Sequence, residues 1–102
     1  MISNLLNRVH IMRGWLTVFV SGKVDTTTAP ALEKTVLENL DGITELVLDL
    51  KDMPYTSSAG LRVFLKIQKT MIRKGKMTVV HICEDVMDIF EMTGFSDFLS
   101  IK

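Results

Sequence analysis

At 102 residues, 47% hydrophobic and 24% charged, the chain has the length and mix of one folded domain, too short for two cores and too apolar to stay disordered. Twelve Lys and Arg balance twelve Asp and Glu, so no basic excess points to direct nucleic-acid contact or to an anionic membrane surface. Its apolar runs are far shorter than the roughly 20 residues that span a bilayer, so no membrane insertion is expected. The opening MISNLLNRVHIMRG lacks a continuous apolar core and a small-residue cleavage site, so no signal peptide is expected either. Somewhere in residues 5–12 a strand is expected. It pairs as a hairpin, turning near Arg13-Gly14, with the alternating run WLTVFVSG, where Trp15, Thr17 and Phe19 interleave with Leu16, Val18 and Val20. Thr28 to Pro30 reads as a helix start, because proline's missing N–H is tolerated in a first turn. Leu32, Val36 and Leu40 then form one stripe, and Asp41-Gly42 ends that helix.

The run TELVLDL is β-rich and nearly continuous, as in a buried strand. The loop KDMPYT follows, then a helix over 58–74 with Leu61, Phe64, Leu65, Met71 and Ile72 toward the core. Arg62, Lys66, Lys69 and Arg73 lie on its outer side and read as a solvated face. Gly75 stops the helix and KMTVVHI is the next strand. Strand, helix, strand in this order implies a right-handed crossover and parallel neighbours. A shorter helix over 84–93 aligns Val86, Ile89 and Phe90 and ends at Gly94, and the tail FSDFLSIK reads as a last helical turn or a short edge element. The fold class is α/β: one domain over 1–102, a small mixed sheet, parallel at its centre, covered by helices.

Little of the chain carries chemistry. His10 and His81 each fall in a predicted strand, away from any Cys or paired acid at metal spacing, whereas a zinc site needs about four convergent ligands. Neither histidine has an obvious acid partner, SSAG is not the G-x-S-x-G elbow, and no glycine-rich phosphate loop is present. No enzyme, metal or cofactor is therefore expected. Cys83 can form no internal disulfide, and in VVHICEDV it reads as a small buried residue; the seven methionines read as core filler. A cytoplasmic location is expected. The exception is MPYTSSAGLRVFL, which puts Thr56, Ser57 and Ser58 between a strand's carboxyl end and a helix's amino end. Hydroxyls there can cap the helix. Capping is the leading reading from helix physics alone; modification is the other, because the rim of an α/β sheet gathers ligands and a helix amino end favours an anion.

LVLDLKDMPYTSSAGLRVFL, with SGKVDTTTAPALE upstream and VMDIFEMTGFSDFL downstream, resembles the anti-sigma-factor antagonists, whose fold is called the STAS domain. The resemblance covers essentially the whole chain. It implies a non-enzymatic switch: an anti-sigma factor with serine kinase activity phosphorylates a serine at the start of the helix after the central strand. The unmodified form binds the anti-sigma factor and frees the sigma factor, and a serine phosphatase resets it. Matching by Gly60-Leu61 places the phosphoacceptor on Ser58. Many members read Asp-Ser-Ser-Gly-Leu-Gly here, so Ser57 stands at their aspartate, Ala59 replaces their second serine, and Ser57 is the second candidate. Asp25, in GKVD, matches an acidic position near the phosphorylation site; it either fixes the kinase's approach or caps the Thr-rich turn. Thr56, Ser57, Gly60 and Arg62 complete the expected partner-binding set. The alternative is a constitutive STAS interaction module, such as a small subunit of a lipid-transport or signalling complex.

Overall fold

The computed structural model describes residues 6–94 and 100–101. Strands β1 (Leu6–Met12) and β2 (Trp15–Ser21) form an antiparallel hairpin. Its two-residue turn places Arg13 at φ 48° and Gly14 at φ 84°. Positive φ at both central residues is the turn whose twist suits a hairpin. Then come helix α1 (Ala29–Glu38), strand β3 (Glu45–Asp52), helix α2 (Ser58–Lys74) and strand β4 (Lys76–Val80). Helix α3 (Glu84–Met92) and the two-residue strand β5 (Ser100–Ile101) complete the chain. The sheet order is β1-β2-β3-β4-β5, and every pair after the hairpin is parallel. The expected pairing of β3 beside β4, parallel, is therefore found, with Leu46 opposite Met77 and Leu48 opposite Val79.

Three crossovers that step the same way along the sheet place their helices on one face, given the right-handed rule. Burial follows that geometry. Leu16, Val18 and Val20 of β2, Leu46, Leu48 and Leu50 of β3, and Met77 and Val79 of β4 are buried. They meet Leu32 and Val36 of α1, Phe64, Ile67 and Met71 of α2, and Val86 and Phe90 of α3 in one core. Phe64 and Phe90 pack edge to face, centroids 6.1 Å apart, which ties α2 to α3. No helix among the described residues is long and apolar enough to cross a membrane.

Several expectations are corrected. β3 is buried on one face only: Glu45, Val47 and Asp49 lie on the other side, partly exposed, because no helix among the described residues covers it. α1 ends at Glu38 with Asn39 as its cap, so Leu40, though buried, lies beyond the helix. On α2, Phe64 and Met71 are buried and Leu61 and Leu65 pack half-buried against the core, but Ile72 points outward at 68% exposure, and Gly60, Val63 and Ile67 complete the buried set. β4 stops at Val80, so His81 lies outside the strand, at φ 58°. Cys83 is half-buried rather than buried and occupies the N-cap of α3. The tail supplies the edge strand β5; the rest of it, 95–99 and 102, lies outside the described residues.

Candidate functional site

The site begins where β3 runs out of partners. Met53, fully buried, anchors the loop after β3, and its N–H donates to the Leu50 carbonyl at 3.1 Å. Pro54 and Tyr55 are then turned outward. A second loop, after β2, comes alongside: Gly22 N–H donates to Asp52 O at 2.9 Å and Val24 N–H to Tyr55 O at 3.0 Å. The Val24 carbonyl accepts from Ser57 N–H at 2.9 Å and from Thr56 Oγ1 at 3.1 Å. Val24 and Thr56 thus form a one-residue parallel bridge that extends the β2–β3 pairing past the strands. Two loops 32 positions apart in sequence are locked together at the carboxyl rim of the sheet.

The neighbouring serines have different surroundings. Ser57, at φ −94° and ψ 179°, is the N-cap of α2, and its Oγ accepts from Ala59 N–H at 3.2 Å. That bond satisfies one donor that the helix itself leaves free. Ser58 is the first helical residue and is exposed. The first turn of α2 holds no acidic side chain, so its dipole end is not neutralised from within the turn. Arg62, one turn further on, is exposed.

Thr56 is 2% exposed and Gly60 is buried, so both sit under the site rather than on its surface. A Cβ on Gly60 would collide with Thr56 Oγ1 and lie 2.9 Å from the Val24 carbonyl oxygen. The absent side chain is what lets the first turn of α2 rest on the Val24 loop. Asp25 follows Val24 directly. Its Oδ1 accepts from Thr27 N–H at 2.9 Å, Thr28 N–H at 3.1 Å and Thr28 Oγ1 at 3.3 Å. The Thr28 and Thr27 backbone donors hold its carboxyl below the usual range. Oδ1 is therefore committed to the turn that leads into α1, while Oδ2 makes no bond among the described residues.

Val24 and Tyr55 were not singled out by the sequence. Val24 acts through its backbone, which leaves no mark on residue type; Tyr55, 45% exposed beside the serines, was legible only as an aromatic in a loop. His81 does have an acid partner, contrary to expectation: its Nδ1 lies 3.0 Å from Asp49 Oδ2, across the β3–β4 step. No hydrogen bond among the described residues links this pair to Ser57 or Ser58. No group of three or more His, Cys, Asp or Glu among the described residues is placed to hold a metal ion.

Comparison with known proteins gives the fold a family. The family model for the STAS domain matches residues 8–102. The anti-sigma-B factor antagonist of Listeria monocytogenes is 32% identical over 90 residues, which cover 85% of this chain and 78% of that one. Among solved structures, an anti-sigma factor antagonist from Mycobacterium paratuberculosis superposes with a TM-score of 0.85 at 26% identity, covering 95% of this chain and 84% of that one. The Bacillus cell fate determinant SpoIIAA, solved in its phosphorylated form, shares the fold with a TM-score of 0.73 at 10% identity, over 95% of this chain and 91% of that one.

Proposed function

This chain belongs to the STAS domain family, and on that premise we propose that it is an anti-sigma factor antagonist switched by phosphorylation of Ser58. In the unmodified state it binds an anti-sigma factor with serine kinase activity and so releases a sigma factor; a serine phosphatase reverses the modification. It acts in the cytoplasm, as a binding protein rather than an enzyme. The observation that carries this reading is the division of labour at the head of α2: Ser57 is occupied as the cap, and Ser58 presents an exposed hydroxyl beside it. Asp25 flanks the site through Val24, and Arg62 stands one turn along.

The switch is electrostatic. A phosphate on Ser58 adds roughly −1.5 to −2 charges at a helix end suited to an anion, so the fold survives the modification. What changes is the interface, where that group must be desolvated or meet like charge. Lowering partner occupancy from 90% to 10% at fixed concentration takes about 80-fold in affinity, or about 2.6 kcal/mol, within reach of one unpaired interfacial charge.

The test is mass spectrometry after incubation with ATP and the anti-sigma factor kinases of the source cell, with binding assays of two variants. Ser58→Ala is expected to bind constitutively, and Ser58→Asp to bind weakly while remaining folded. Phosphate on Ser57 would move the acceptor by one residue and keep the mechanism. Phosphate on neither serine, with both variants binding like the parent, would leave the constitutive interaction module.

A further inference from the structure

Helix α2 carries two apolar stripes, one buried in the core and one that the core covers only in part, with Leu61 and Leu65 half-buried against it and Ile72 exposed. Gly60, Val63, Phe64, Ile67 and Met71 are buried. Ser58, Leu61, Leu65, Lys69 and Ile72 fall, at about 100° per residue, in a separate sector roughly 80° wide. Along this second stripe runs a groove of about 520 Å³, lined by Leu61, Leu65 and Ile72, by Arg62 and Lys69, and by Thr93 just past α3. Ile72 is among the most exposed large apolar side chains described.

The groove is also charged in one sense. α2 bears Arg62, Lys66, Lys69, Arg73 and Lys74 and no acid, whereas α3 bears Glu84, Asp85, Asp88 and Glu91 and no cation. A neutral chain has therefore separated its charge between neighbouring helices. Lys66 is paired with Glu33 at 2.6 Å, while Arg62, Lys69 and Arg73 make no ion pair among the described residues. An apolar strip flanked by unpaired cations is complementary to an apolar strip flanked by carboxylates. From Leu61 to Ile72 the helix rises about 16 Å, the length of three turns of an occupying helix.

The geometry points to this second stripe as the docking groove for an acidic amphipathic helix of the anti-sigma factor, with Ser58 at its head. The inference rests on the antagonist reading above and adds the chemistry of the partner and the extent of its footprint. It also gives the phosphate two local effects. A group of roughly −1.5 to −2 charges enters an otherwise cationic stripe and repels the partner's carboxylates. Arg62, one turn away, is drawn to the phosphate and away from the partner.

The test uses variants three or more turns from Ser58, built on Ser58→Ala so that the unmodified state is fixed. Ile72→Asp and the pair Lys69→Glu, Arg73→Glu are titrated against the purified anti-sigma factor that binds Ser58→Ala, at about 50 and about 300 mM NaCl. Ile72→Asp is expected to weaken binding about ten-fold or more at both salt concentrations. The charge reversals are expected to weaken it about ten-fold at low salt and clearly less at high salt. Both sites are exposed, so melting temperatures should stay within about 2 °C of the parent. If both variants bind within about two-fold of the parent while Ser58→Asp still does not bind, the footprint ends at the head of α2; the inference then falls and the antagonist reading stands. If no anti-sigma factor binds Ser58→Ala, both fall together. Sedimentation of the chain alone and with phosphatidylglycerol vesicles covers the other occupants: loss of self-association or of vesicle binding in Ile72→Asp, with partner affinity unchanged, assigns the groove to a second copy or to lipid and overturns the inference.

Discussion

Ser57 and Ser58 show how much one position matters at a helix start. Both are serines at one junction, yet Ser57 faces back onto Ala59 N–H and Ser58 faces out. The N-cap residue is extended and can fold its hydroxyl over the first turn, whereas the next residue is already helical and projects radially. Asp25 is the counterpart on the neighbouring loop. Of its two expected roles, the hydrogen bonds to Thr27 and Thr28 support capping, and Oδ2 is left over for a partner. Because those donors lower its pKa below the ordinary 3.8, its ionised form stabilises the folded state. That contribution is present above the unfolded value and is lost as the pH falls through the lowered one. Asn can still accept the cap bonds but carries no charge. Asp25→Asn should therefore melt slightly below the parent at pH 7, and the gap should close as the pH falls below about 4. Thermal melts of both proteins across this range check it; a gap that stays constant with pH would show that the carboxylate charge contributes nothing.

For helix α2, the element scale decides the sign of a mutation that local propensity would misjudge. Replacing a helical glycine by alanine normally stabilises, by about 0.5–1 kcal/mol. At Gly60 the added methyl would collide with Thr56 Oγ1 and press on the Val24 carbonyl, itself the acceptor that joins the two loops. Overpacking of this kind costs about 1–3 kcal/mol, more than the propensity gain. Gly60→Ala is therefore expected to lower the melting temperature by several degrees, and to slow phosphorylation of Ser58 by displacing the start of α2. Calorimetry with a timed kinase assay checks both, and a raised melting temperature would mean that the contact relaxes without cost. The limits of α2 were legible from Ser57-Ser58 and Gly75. Its inward face was legible in part: Phe64 and Met71 are buried and Leu61 and Leu65 pack against the core, whereas Ile72, at the same helical spacing, is left outside. A period names the stripes; only a neighbour chooses between them.

Across the whole molecule, order in the sheet sets where stability resides. β3 is hydrogen-bonded on both sides, by β2 and β4, while β1 and the two-residue β5 are terminal. Amides of central strands usually open only with the whole fold, and edges open locally. Hydrogen exchange followed by mass spectrometry or NMR should show residues 46–50 among the slowest and β5 among the fastest. Protection of β1 equal to that of β3 would indicate that its outer edge is covered. The loop that leads into Ser58 leaves the carboxyl end of β3, so the proposed switch would be mounted on the strand expected to exchange most slowly.

By itself the sequence determined what depends on near neighbours along the chain: the hairpin at Arg13-Gly14, the start and stop of α2, the capping hydroxyl at Ser57, and the parallel β3–β4 pair implied by strand, helix, strand. Each rests on short-range sterics or on the handedness of one crossover. Tertiary structure alone decided what depends on chain segments far apart. It brought Val24 onto Thr56 and His81 onto Asp49, left one face of the sheet without a helix among the described residues, and turned Ile72 outward. Hydrophobic periodicity tells which residues want a neighbour, but the free energy of burial is realised only where another element arrives to cover them. On the second stripe of α2 that cover is partial: Leu61 and Leu65 pack against the core, while Ile72 stays exposed.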